Sequence, residues 1–398
     1  MSDEAQPAGC VPGTTALVLA GGGARAAYQV GVLKAIAELL PDPAVNPFPV
    51  ICGTSAGAIN ALALASNAGD FANGIQRLNT VWANFRCNQV YRSDWPGVVA
   101  QAMRWTGANL MGIGRRAPTS LLDNRPLRHL LEKHLHFGKI QGALNQGHLQ
   151  AISVSAFGYQ SAESVCFYQA HERIKPWSRH RRVGIQTQLG IDHMMASAAI
   201  PLLFMPVRIG REWFGDGAVR QRAPISPALH LGADRVLVIG LSDNLAESVD
   251  TGQRARKVGS VLPPTLAQMG GHLLNSTFVD NLESDLELLE RMNRLASFMP
   301  EDARQHGKGL LPVEVMIIAP SEPLDLIAAR HRRALPSSLR TFLRGSGATR
   351  ASGGSVLSYL LFEAEYCQEL IALGYRDATA KREELQRFLG LLCAVQAP

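Results

Sequence analysis

Gly53-Thr54-Ser55-Ala56-Gly57 fits the pattern G-x-S-x-G. Chemistry at such a pattern needs a serine held at a tight turn between a strand and a helix, so that its hydroxyl stands at the sheet's edge. The flanking glycines let the chain turn without a Cβ clash. A helix that starts just after the serine points its positive end at the same spot, which favours developing negative charge. The reaction suited to this geometry is nucleophilic attack on an acyl carbonyl.

Gly21-Gly22-Gly23-Ala24-Arg25 also joins a strand to a helix. Its consecutive amides can form an anion-binding nest. One reading is the phosphate cradle of a nucleotide- or anion-binding regulatory protein that keeps Ser55 only structurally. Against it, Gly21–Ala26 gives at best G-x-G-x-x-A. No acidic strand end follows about 20 residues on, and a P-loop Lys-Ser/Thr is absent. The other reading is an oxyanion hole for acyl transfer, which the nearby serine turn favours. Arg25 is either a surface charge or a guanidinium that fixes the loop by hydrogen bonds.

A serine nucleophile needs a base. None of the histidines stands out: His193 precedes an apolar segment and His331 lies in an Arg-rich stretch. His134 and His136 lack a third metal ligand and read as a surface pair. Trp213-Phe214-Gly215-Asp216-Gly217-Ala218 ends a short apolar strand in a carboxylate on a tight turn. Alone, Asp-Gly reads as an ordinary turn.

Four segments together resemble the motif blocks of patatin-like phospholipases. They are the glycine loop, the Gly53–Gly57 turn, the Ala196–Val207 stretch (Ala-Ser-Ala-Ala-Ile-Pro-Leu-Leu-Phe-Met-Pro-Val) and Asp216-Gly217-Ala218, in the family's order across residues 17–218. The resemblance implies a three-layer α/β/α fold with a mainly parallel central sheet, and a Ser–Asp dyad without histidine. By matched position, Ser55 is the nucleophile and Asp216 its partner. The amides of Gly22, Gly23 and Ala24 fall where the family has its oxyanion hole, supported by Gly21, Arg25, Gly53, Gly57 and Gly217. Ala26 departs from the glycine that many members carry after the loop arginine. The implied activity is a serine lipid acyl hydrolase that cleaves carboxylic esters of phospholipids or related acyl lipids through an acyl-enzyme. This chemistry requires no metal or organic cofactor. An ordinary Asp ionises near 3.9, about three units below neutrality, so as a base it falls short by roughly 4 kcal/mol. Burial raises such a value, and the oxyanion hole supplies much of the remaining stabilisation.

The elements that position these residues show in the apolar pattern. Ala16–Ala20 is a short continuous apolar run, read as a buried strand. A helix over Ala26–Leu40 stops at Pro41. Pro49–Cys52 is a second strand, followed by a helix to Ala65. Further strands are expected at Leu149–Ala156, Val165–Gln169, Phe204–Ile209, Arg235–Leu241 and Val313–Ala319. Strands alternating with helices predict an α/β fold with helices on both faces. Residues 1–14 read as a flexible tail and 15–344 as one catalytic domain. That domain includes an insertion or cap at about 86–120, a loop and acidic helix within 242–298 (the helix over Thr277–Leu295) and the late core strand 313–319. Residues 345–398 read as a linker and two C-terminal helices, about 356–373 and 376–392.

The 398 residues are 46% hydrophobic and 18% charged, which excludes a largely disordered chain. Cys10, Cys52, Cys87, Cys166, Cys367 and Cys393 are far apart without a CxxC pair, so reduced, mostly buried thiols in a reducing compartment are expected. The N-terminus lacks the charged and apolar regions of a signal peptide. No apolar run reaches the ~18 residues needed to span a bilayer; Met194–Val207 is interrupted by Pro201 and reads as core. A cytoplasmic protein that meets membranes from one side is the expectation. The net charge is +6. One basic run is Arg173, Lys175, Arg179, Arg181 and Arg182, with Trp177. A second is Arg330, Arg332, Arg333, Arg340 and Arg344, interleaved with Leu335, Leu339, Phe342 and Leu343. Each run reads either as a solvated basic face or as a site of peripheral contact with an anionic membrane surface, with Trp177, Leu339 and Phe342 available to insert. No nucleic-acid motif accompanies the charge, so no nucleic-acid partner is expected. Trp82, Trp95 and Trp105, with Met103 and Met111, read either as a packed excursion over the core or as a cap that admits acyl chains.

Overall fold

In strand β1 (Thr15–Leu19), Leu17 and Leu19 face one side and Ala16 and Val18 the other, and all four are buried. A strand covered on both faces reads as a continuous apolar run, and it needs a layer of helices on each side. The computed structural model supplies both layers. It describes residues 13–92, 120–171, 173–221, 223–242, 280–298, 312–346 and 354–391.

The central sheet continues with β2 (Val50–Thr54), β3 (Ala151–Gly158), β4 (Ser164–Ala170), β5 (Trp177–Arg179), β6 (Arg182–Gln186), β7 (Val207–Ile209), β8 (Glu212–Asp216), β9 (Arg235–Ile239) and β10 (Glu314–Ile318). Its order is β10-β9-β1-β2-β3-β4-β6-β5, and β8 pairs with both β3 and β7. The run from β10 to β3 is parallel throughout. The late strand therefore belongs to the same sheet as the first.

One helical layer contains α1 (Ala27–Leu39), α2 (Ala56–Ala65) and α3 (Phe71–Ala83), together with the C-terminal helices Gly354–Leu360, Ala364–Ala380 and Arg382–Phe388. The opposite face is covered by the helices Ser226–His230 and Asp280–Ser297, which contribute Ala228 and Leu289 to a second buried cluster. The result is a three-layer α/β/α arrangement with a mostly parallel core. Helix α1 meets the helix Ala364–Ala380 backbone to backbone. A Cβ on Gly31 would overlap the carbonyl of Ile371, and one on Gly374 would overlap that of Tyr28.

Several boundaries differ from the sequence expectation. The C-terminal helices break at 361–363 and at Lys381, not near 374, because Gly374 serves close packing within a helix. The strand expected over Phe204–Ile209 shortens to Val207–Ile209, since 201–204 form a turn in which Leu202 has φ 68°. The run Arg173–Arg182 contains one short strand and the start of another at the sheet's edge. The acidic helix begins at Asp280 among the described residues. The tail 1–12, Trp95, Trp105, Met103, Met111, Cys10, Cys393 and most of the loop 242–275 lie outside them, as do the side chains of Phe342, Leu343 and Arg344. The four described cysteines, Cys52, Cys87, Cys166 and Cys367, are free and buried.

Candidate active site

Strand register brings the two ends of the candidate site together. Strand β2 pairs with β3 up to Thr54 opposite Ser155. Strand β4 occupies the other edge of β3 along its whole length. Strand β8 runs antiparallel to β3 and ends with Asp216 opposite Ala156, the next position along. β2 and β8 thus share one lane beside β3 and meet tip to tip, so Ser55 and Asp216 face each other across 161 residues of sequence. The Ser55 hydroxyl donates to Asp216 Oδ2 at 2.6 Å.

Ser55 sits between strand and helix with φ 54° and ψ −127°. This conformation is uncommon for a residue with a Cβ and costs of the order of 1–3 kcal/mol. Neighbours hold it there. The Ser55 amide donates to Ser197 Oγ at 2.8 Å, and the Ser197 hydroxyl donates to the Ser155 carbonyl at 2.6 Å. The Ser55 carbonyl accepts from the Ala58 amide at 2.9 Å. Next door, the Thr54 hydroxyl donates to Gln221 Oε1 at 2.8 Å, and Gln221 Nε2 donates to Ser155 Oγ at 3.3 Å. Gly57 lets α2 press against the end of β1, where a Cβ would overlap the Leu19 carbonyl.

Asp216 is fully buried. Its Oδ1 accepts from the Ala218 amide at 3.0 Å, and its own amide donates to the Ala199 carbonyl at 2.9 Å. Burial pushes its carboxyl up from 3.8 to about 7, against the lowering effect of the Ser55 and Ala218 hydrogen bonds. Taking a charge out of water favours the neutral acid, and here burial outweighs two donors.

The glycine loop forms a short 3-10 turn over Gly23–Ala26 that leads directly into α1. The first amides of such a turn have no partner within it. Gly23 has φ 57°, a left-handed conformation that glycine adopts without strain. The two ends of the loop are tied to α1 and α2 by buried side-chain amides. Gln29 Nε2 donates to the Ala20 carbonyl at 2.8 Å, and Asn60 Nδ2 donates to the Ala26 carbonyl at 3.2 Å and to Gln29 Oε1 at 2.9 Å. Trp82 is fully buried and donates to Asn60 Oδ1 at 2.7 Å, so it belongs to this support and not to a cap. Arg25 is only 5% exposed. Its Nε donates to Ser358 Oγ at 2.7 Å, so it reaches to the C-terminal helix and is no surface charge.

The histidines singled out by sequence sit elsewhere. His193 Nδ1 accepts from the Gly190 amide at 3.1 Å at the start of its own helix. His331 pairs with Glu369. Two residues expected to enter a membrane are occupied. Trp177 stacks between Tyr168 at 4.9 Å and His230 at 4.8 Å, and Leu339 is buried, as is Leu335. Arg330 pairs with Glu369, and Arg332 and Arg333 are exposed. Among the described residues, no helix is long and apolar enough to cross a membrane.

Ser197, Gln221 and Ser358 were not identified from sequence. Ser197 lies within the Ala196–Val207 stretch, so its segment was marked though its role was not. Nothing in the pattern pointed to Gln221 or Ser358, whose contacts are long-range.

The family model of patatin-like phospholipases matches residues 17–229. A cGAMP-activated phospholipase from Pseudomonas aeruginosa (strain BWHPSA011 / Pa011) is 26% identical over 229 residues, 55% of this chain. The chain spans 57% of that relative's length. A crystal structure of VipD from Legionella pneumophila aligns over 97% of this chain and 93% of that one, at 13% identity and a TM-score of 0.35. Since the family model covers more than half of the 398 residues, the chain belongs to the patatin-like phospholipase family.

Proposed function

We propose that the chain is a serine lipid acyl hydrolase that cleaves carboxylic esters of phospholipids or related acyl lipids through a Ser55–Asp216 dyad. The observation that carries this reading is the 2.6 Å hydrogen bond from Ser55 Oγ to a buried carboxylate raised to about 7. A base three units below neutrality would be short by roughly 4 kcal/mol, and the burial of Asp216 removes most of that shortfall.

Ser55 Oγ attacks the ester carbonyl carbon while Asp216 takes the hydroxyl proton. The carbonyl oxygen becomes an oxyanion, which the amides of Gly22, Gly23 and Ala24 receive; a donor of this kind is typically worth ~3 kcal/mol. The tetrahedral intermediate collapses as the C–O bond to the alcohol breaks, and Asp216 returns its proton to the leaving oxygen. An acyl-Ser55 ester remains. Water then attacks it with Asp216 again as base, releasing the fatty acid and restoring Ser55.

A fluorophosphonate probe tests the assignment. Covalent labelling and turnover of a short-chain ester are both expected, and both should vanish in Ser55→Ala while the fold persists. An active Ser55→Ala chain would sink Ser55 as the nucleophile, and folded protein that neither labels nor turns over ester would favour an anion-binding protein instead.

A further inference from the structure

The C-terminal helix Gly354–Leu360 lies beyond the segment matched by the family model, yet it touches the glycine loop at two points. The first is Gly23, where a Cβ would overlap the carbonyl oxygen of Tyr359. The second is Arg25. Its Nε donates to Ser358 Oγ at 2.7 Å, and its guanidinium carbon lies 4.2 Å from the centre of the Tyr359 ring.

These partners are unusual for a cation that is only 5% exposed. A buried guanidinium normally meets a carboxylate. Among the described residues, no carboxylate forms an ion pair with Arg25. A hydroxyl and an aromatic face hold the cation without cancelling its charge. The positive field beside the loop is therefore kept, and an oxyanion bound at the adjacent amides would gain from it.

The helix itself is anchored at its far end. The Leu360 carbonyl accepts from the Tyr91 hydroxyl at 2.7 Å, and Glu363 Oε1 accepts from the Cys87 amide at 3.1 Å. Leu357, Leu360, Leu361 and Phe362 are all buried. The loop is thus held by a fixed strut and not by a free helix end.

We propose that Ser358 and Tyr359 are positioning residues, which act through Arg25 and Gly23 to hold the glycine-loop amides in the direction that catalysis needs. The inference rests on the acyl-hydrolase reading and assigns part of that site to the C-terminal helix.

The test uses the full chain, a soluble short-chain ester and a trifluoromethyl ketone that forms a tetrahedral adduct with Ser55. Active sites are counted by fluorophosphonate titration, so that loss of folded protein is separated from loss of rate per site. Ser358→Ala and Tyr359→Leu should each lower kcat per labelled site about tenfold, because a hydrogen bond or π face on a charged group is removed. KM should stay within about twofold, since the loop acts in the transition state. Ketone affinity should fall by the same factor as kcat. Tyr359→Phe, which keeps the ring, should recover most of the loss. Unchanged kcat per labelled site, or a drop accounted for by fewer labelled sites, overturns the inference alone. A wild-type chain that neither labels nor turns over ester overturns the hydrolase reading, and this inference with it.

Discussion

Asp216→Asn should make the protein inactive and, at neutral to alkaline pH, more stable. In the unfolded chain the carboxyl ionises near its ordinary value of 3.8, and in the fold it keeps its proton up to about 7. Between those values folding takes up a proton, so stability falls as pH rises through the window and levels off above about 7. The full gap between the two values costs about 4 kcal/mol at pH 8, and the part of it below pH 5 costs under about 2 kcal/mol. Asn carries no proton to lose, and its side-chain oxygen can still accept from the Ala218 amide that now bonds Oδ1. Urea unfolding of both proteins at pH 5 and pH 8 measures the difference. The gain for Asp216→Asn should be larger at pH 8 by about 2 kcal/mol or more. In the wild type, kcat/KM for a soluble ester should rise with pH up to about 7 and then level off, as the base ionises. A stability difference that is the same at both pH values, or an Asn variant less stable at pH 8, would refute the claim that burial of this carboxyl is what tunes it.

Ser197→Ala leaves the Ser55 amide without its recorded acceptor, so a loss of about 1–3 kcal/mol in stability is expected; chemical denaturation checks it, and kcat should fall as the serine turn relaxes. Gly57→Ala drives a Cβ into the Leu19 and Ala20 carbonyls, both backbone, and should cost about 1–3 kcal/mol as an overpacked site; melting curves and fluorophosphonate labelling rates report it. Arg332 and Arg333 remain exposed, so binding to anionic vesicles should exceed binding to zwitterionic ones and weaken at high salt. Arg332→Glu with Arg333→Glu should reduce co-sedimentation while sparing hydrolysis of a soluble ester.

What could be read from sequence was local. The strand, glycines and helix around Ser55 lie within residues 50–65, so their chemistry and geometry coincide in the sequence. The same holds for the glycine loop. Asp216 is different. Its Asp-Gly turn carries no signal of its own, and only the order of the motif blocks attached it to Ser55; the physical link is the shared lane beside β3. Gly374 shows how a local rule misleads, since a glycine that resembles a helix stop serves a close helix crossing. Leu335 and Leu339 show the same for amphipathic patterning: an apolar stripe among arginines faces the protein's own core as readily as a bilayer. The hydrogen bonds of Ser197, Gln221 and Ser358 join residues 142, 167 and 333 positions apart, and no periodicity encodes them.

The union of the first helix with the last ones also sets a timetable for synthesis. Arg25 bonds Ser358 across 333 residues, and Tyr28 bonds Asp377 across 349. A nascent chain translated at about 5–20 residues per second has made the glycine loop and Ser55 for roughly 15–70 s before those partners exist. Throughout that interval the face of α1 around Gly31 lacks the helix that covers it, and Arg25 lacks both its hydroxyl and its aromatic ring. A ribosome-bound chain halted before residue 358 should therefore carry the serine turn but not a finished glycine loop. The hydrolysis proposed for this site would then require synthesis to pass residue 358 and the helix that carries it.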